Sequence, residues 1–237
     1  MRSLLITPAE EPRLAEAFAS GADAVIVDLI AATADERVAA RAAASRFLTE
    51  TRGRGARPML VIRTNGLESG ETDADLDAVM GAAPDAVLLP GSLSAASVQQ
   101  LSVKLAVREA ELSLADGRTG ILAVVETAQS LFSMGSYRGA SRRLMGIGWS
   151  AESLRTNIGA KTDRDGFGAL LDPYRLARSL TLLAAASAGV PAIDTVFRGD
   201  AEGLRAEALA ARRDGFAAKM AVDPAQAAVI NDMFAPP

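Results

Sequence analysis

The sequence predicts an α/β protein of eight strand–helix units closed as a (β/α)8 TIM barrel, in a single domain spanning residues 1–237. Three observations carry this reading. Eight short apolar runs recur along the chain, separated by alanine- and leucine-rich stretches with interspersed Arg and Glu. The runs are aliphatic without polar alternation, as expected of parallel strands buried on both faces. Finally, the first run continues as SLLITPAEEP rather than GxGxxG, so an open doubly wound sheet would lack its glycine-rich dinucleotide turn.

Taken in order, the expected strands are Ser3–Thr7, Ala24–Leu29, Pro58–Thr64, Ala86–Pro90, Gly120–Thr127, Leu144–Trp149, Ala192–Val196 and Ala218–Asp223. The first is a run of Leu and Ile stopped at Pro8; the second and third, AVIVDL and PMLVIRT, are rich in β-branched residues. Between them lie helices expected over Pro12–Ser20, Asp35–Thr49, Ala74–Gly81, Ala95–Ala115, Ala128–Ser136, Pro173–Ala188, Glu202–Asp214 and Pro224–Phe234. Their apolar spacing suits helices laid on a sheet by one face. Arg52-Gly53-Arg54-Gly55 and Ala115-Asp116-Gly117 mark loops, and Gly189 before Pro191 reads as a left-handed helix cap. Asn157 to Asp172 is the longest irregular piece, carrying Lys161, Asp163, Arg164 and Asp165 among glycines. It reads either as a functional loop or as a surface insertion.

Composition narrows the chemistry. With no Cys and no His, disulfides, thiolate nucleophiles, the Ser-His-Asp triad and the usual zinc shells are excluded. Any metal must be held by oxygen, which favours Mg²⁺ or a similar hard cation. A formal charge of −4 with scattered basic residues argues against nucleic acid as a partner. The N-terminus is interrupted too early by Pro8 to read as a signal peptide, and no apolar run is long enough for a membrane span. A cytoplasmic location is expected.

Barrel enzymes gather their chemistry where the strands exit. Arg63, at the end of a buried strand, needs an anion: a substrate carboxylate or enolate, or an internal partner in Asp28 or Glu126. Glu126 ends GILAVVE as a candidate hard-metal ligand or as a cap of the following helix. Strand six delivers Trp149, Ser150, Glu152 and Ser153, with Trp149 and Ser150 as candidate substrate contacts and Glu152 as a second metal ligand. Trp149 has the alternative of packing beneath the site, and Asp223 that of capping the helix begun by Pro224. Lys161 and Arg164 read as phosphate-binding or simply solvated, Asp28 as a brace of the barrel mouth.

On these residues the chain resembles the HpcH/HpaI aldolase and citrate lyase β-subunit family, especially its CitE-like branch. RSLLITPAEEPRLAEAFASGADAVIVDL, RPMLVIRTNG, DAVLLP, AVVETAQSL, IGWSAESLRTNIGAKT and GFAAKMAVDPAQAAVINDMFAP match its successive units in order. The resemblance implies a phosphoenolpyruvate/pyruvate-type barrel and a homo-oligomer. It implies a carbon–carbon lyase acting beside a carboxylate, with Mg²⁺, on a small hydroxy-acid or its acyl-CoA thioester. Arg63 would bind the substrate oxyanion and Glu126 the metal. The chain departs from the pattern where the family's acidic pair falls on Ile30 and Ala31, its second metal acid on Ser153, its LPK-like lysine on Gly91 and its IHPAQ-like histidine on Asp223. These losses imply a weak metal site, and they open the alternative of a non-catalytic relative that binds or assembles.

Overall fold

The computed structural model describes residues 1–235. Its strands are β1 (Ser3–Pro8), β2 (Ala24–Asp28), β3 (Met59–Arg63), β4 (Ala86–Leu89), β5 (Gly120–Val125), β6 (Leu144–Trp149), β7 (Ala192–Asp194) and β8 (Ala218–Ala221). Each pairs in parallel with the next in sequence, and β8 returns to β1, closing the barrel. The helices are α1 (Glu11–Ala19), α2 (Ala34–Thr51), α3 (Thr72–Val79), α4 (Ala95–Glu111), α5 (Ala128–Phe132), α6 (Ala151–Asn157), α7 (Asp172–Ala188), α8 (Ala201–Asp214) and α9 (Pro224–Met233). No helix among the described residues is long and apolar enough to cross a membrane.

Period-2 alternation divides each strand between two cores. Leu4, Ile26, Val61, Leu88, Leu122, Val124, Ile193 and Met220 belong to the core inside the barrel. Leu5, Val25, Val27, Ile62, Val87, Ala123, Ile147 and Trp149 belong to the larger one between barrel and helices. The interior is tight: a Cβ on Gly120 would sit 1.9 Å from the Met145 Sδ, so any side chain there would have to displace Met145.

The strands expected from sequence are all present, with differences at their ends. The seventh stops at Asp194 and the eighth at Ala221; Asp223 lies beyond, accepting the Ala225 N–H at 2.8 Å as the cap of α9. Gly189 caps α7 with φ 72°. The helix expected to reach Ala115 ends at Glu111, and Ser113 takes a left-handed φ of 55°. A short helix, α6, which is not among the helices expected from sequence, stands between β6 and the long loop and shares only Asn157 with it. Ser150 caps it by accepting the Ser153 N–H at 3.2 Å. The loop proper runs from 158 to 171. It folds back on itself through an antiparallel bridge between Arg164 and Leu170, and Arg164 ties it to Glu207 of α8.

Candidate functional site

Three strands extend their inward-facing rows to the C-terminal rim and end them in charge. Two positions beyond Ile26, Val61 and Val124 stand Asp28, Arg63 and Glu126. Asp28 and Arg63 are register partners on adjacent strands. The Arg63 Nη1 donates to the Asp28 Oδ2 at 3.0 Å, and its Nη2 lies 3.8 Å from the Glu126 Oε1. The other Glu126 oxygen accepts the Gly91 N–H at 2.9 Å. Gly91 is in the left-handed region, φ 59°, as the chain turns off β4. At this position, where the resemblance would put a lysine, a backbone donor holds the acid.

Two carboxylates share one guanidinium, and both are shifted the same way. Burial pushes the Glu126 carboxyl above its ordinary value, only partly offset by Arg63, the Gly91 N–H and the Ser153 hydroxyl. Burial likewise raises Asp28 against the pull of Arg63 and of the Ile30 N–H. Two carboxyl groups thus face a single guanidinium at the floor of a cavity of about 470 Å³, an excess of one negative charge when both are ionised. Ile6, Leu88, Val124 and Met220 give that cavity apolar walls, and Ser150, Ser153 and Thr195 line it. Glu152 and Arg198 stand at its lip, each more than half exposed.

The structure brings Arg63, Glu126, Ser150 and Ser153 to one cavity, but it corrects two expectations. Trp149 does not face the guest: Gly148 beside it packs inward near Ile193 and Met220, so Trp149 points out of the barrel. It is 1% exposed, and its Nε1 donates to Asp194 at 2.9 Å. Glu152 does not join Glu126 as a ligand. Next to Ser153 on α6 it faces a different way, and its carboxylate accepts from Arg198 at 3.2 Å. Asp194 on β7 and Lys219 on β8 likewise face outward, where Lys219 Nζ contacts Asp194 at 3.0 Å. Arg198 and the Gly91 N–H carried no signal in sequence, since one sits in the β7–α8 loop and the other is backbone.

No group of three or more His, Cys, Asp or Glu among the described residues is disposed to hold a metal ion. The donors that face the cavity still fit a hard cation in a sparse way. All are oxygen, and the floor lacks one positive charge. A cation there would take Glu126 and the Ser153 hydroxyl, with water or guest oxygens completing its shell. A larger cavity of about 1100 Å³ lies outside the barrel between α7 and α8. Its deepest charges are already paired with each other, Arg178 with Asp194 and Asp214, and Arg164 with Glu207.

Fold and site together define a (β/α)8 barrel with a charged cleft at the strand C-termini. The HpcH/HpaI aldolase/citrate lyase family model matches residues 2–224, and the chain belongs to that family. It is 31% identical to citrate lyase subunit beta of Leuconostoc mesenteroides subsp. cremoris, over 99% of this chain and 77% of that protein. It is 33% identical, with the same coverage, to a (3S)-malyl-CoA thioesterase of Cereibacter sphaeroides. Among solved structures, the citrate lyase beta subunit from M. tuberculosis complexed with oxaloacetate and magnesium superposes with a TM-score of 0.82. That pair is 30% identical over 99% of this chain and 96% of the other.

Proposed function

We propose that this chain is a carbon–carbon lyase that binds a small keto- or hydroxy-acid, free or as a coenzyme A thioester, with a divalent cation. The observation that carries the reading is Arg63, held at the cavity floor between Asp28 and Glu126 with open volume above it. A guanidinium fixed by one close carboxylate contact, with a second carboxylate 3.8 Å away, is oriented to grip a planar oxyanion, a carboxylate or the enolate left when a C–C bond breaks. Glu126 is kept in place by the Gly91 N–H, so its free edge faces the guest. Ile6, Leu88, Val124 and Met220 keep bulk water from the reacting carbon. When bound, a divalent cation supplies Lewis-acid stabilisation of enolate charge. The relatives named for citrate lyase and malyl-CoA, and the oxaloacetate and magnesium of the M. tuberculosis structure, support the same class of guest.

A second reading, a binding or assembly subunit without turnover, is favoured by one observation: of the carboxylates at the cavity floor, Asp28 is hydrogen-bonded to Arg63, which leaves Glu126 as the one acid there for a cation. Two measurements separate the readings. Mg²⁺ with oxaloacetate or pyruvate is expected to raise the melting temperature, and malyl-, citramalyl- or citryl-thioesters to be cleaved, with both effects lost in Arg63→Ala. A thermal shift without turnover supports the binding subunit. No shift with either keto acid overturns the site.

A further inference from the structure

The charges that line the barrel cavity are Asp28, Arg63, Glu126, Glu152 and Arg198, three acids against two arginines. At the floor, Arg63 is already matched by two carboxylates. A divalent cation on Glu126 leaves that floor with one net positive charge, sufficient for one anionic end of a guest. A second anionic end needs another cation, and Arg198 is the other one lining the cavity among the described residues.

Arg198 is 61% exposed at the lip and held only loosely. Its Nε and Nη2 both contact the same Glu152 oxygen, at 3.3 and 3.2 Å, rather than gripping the carboxylate with two parallel bonds. Exposed pairs of this kind contribute little and exchange readily. A guest carboxylate offering both oxygens would replace the single-oxygen contact with a two-bond fork. Glu152 is 55% exposed, so it can be released to water at little cost.

We propose that Arg198 is the specificity-determining residue for the distal anionic group of the guest, and that Glu152 is the internal competitor that occupies it when no guest is bound. This rests on the carboxylate-binding reading above. It makes the pocket selective for dianions over monoanions that share the same keto-acid head.

The test is calorimetric titration of oxaloacetate and of pyruvate, each with Mg²⁺, into the full chain. Wild type is expected to bind oxaloacetate more tightly. Arg198→Ala is expected to weaken oxaloacetate about tenfold, the size of one lost charge-assisted hydrogen-bonded contact, and pyruvate by less than about twofold. Glu152→Gln is expected to tighten oxaloacetate, because the competing anion is gone while the side-chain shape remains. Both residues are exposed, and unchanged unliganded melting temperatures will confirm that the variants fold. Equal effects of Arg198→Ala on both acids, no effect on either, or weaker oxaloacetate binding in Glu152→Gln would overturn the proposal while leaving the carboxylate site standing. Failure of the wild type to bind either acid would overturn the carboxylate site, and this proposal with it.

Discussion

Asp28 and Glu126 are largely buried carboxylates, raised in pKa by that burial, which the one guanidinium they share only partly offsets. A carboxyl whose folded pKa lies above its unfolded value stabilises the fold only while protonated. That contribution is lost as pH rises through the folded pKa, so at pH 7 the ionised pair costs stability. Glu126→Gln is therefore expected to increase stability at pH 7 by on the order of 1 kcal/mol in urea denaturation, while abolishing any Mg²⁺-dependent thermal shift. A loss of stability would mean that the Arg63 contact outweighs burial. Arg63 and Glu126 were legible in sequence because a charge that ends an aliphatic strand has nowhere to go but the rim. For Trp149 the packing alternative holds rather than the substrate contact, and one step decides it, that a side chain next to an inward glycine must face outward. Arg198 left no trace, because a loop residue has no periodicity to betray its direction.

At the scale of elements, what sits behind β7 and β8 matters as much as what sits before them. Lys219 is fully buried on the outer face of β8, its Nζ on Asp194 at 3.0 Å, the Thr195 carbonyl at 2.8 Å and Glu207 of α8 at 3.2 Å. Full burial pushes the Asp194 carboxyl up, but Lys219, Arg178 and the Trp149 N–H outweigh it and hold it below the usual range. The cluster pins β6, β7, β8 and α8 together beneath Thr195 and Ser150, which line the cavity. Lys219→Met should cost about 3–5 kcal/mol, because it leaves buried acids short of a partner. Thermal or chemical denaturation reads it, and a change below about 1 kcal/mol would show that Arg178 alone suffices. The sequence places Lys219 and Asp194 on strands correctly but not on a face, since AIDTV and AKMAVD contain too few residues to set the phase of a two-residue repeat. Helix α6 escaped for a related reason: its seven residues are too short for helical periodicity, and only the Ser150 cap announces it.

Across the whole molecule the barrel was legible because eight aliphatic runs with helical spacers admit few closed solutions, and β8 does pair with β1. That architecture keeps two populations of acids apart. At the opposite end from the cavity, Glu109 accepts from Arg143 and from the Thr119 and Gly117 N–H groups. Burial alone would raise it, but these partners hold it low, and Asp85 is held low by Arg57 and the Leu60 N–H against the same burial. Such groups contribute stability that is present above their unfolded pKa, about 4, and lost as pH falls through the folded values. Asp28 and Glu126 run the other way. The double variant Asp28→Asn, Glu126→Gln is therefore expected to exceed wild type in stability at pH 7. Its advantage should shrink as pH falls through the raised folded values of the two site acids, because protonation removes the cost of burying them. Below those values, both proteins should lose stability along the same acid limb, because Glu109, Asp85 and Asp194 are intact in each. Urea denaturation at steps between pH 4 and 8 measures the difference directly. A gap that stays constant with pH would show that the two carboxylates are not held ionised against their burial. The strand ends would then be ordinary ion-paired surface, and the barrel would have no stability set aside for binding.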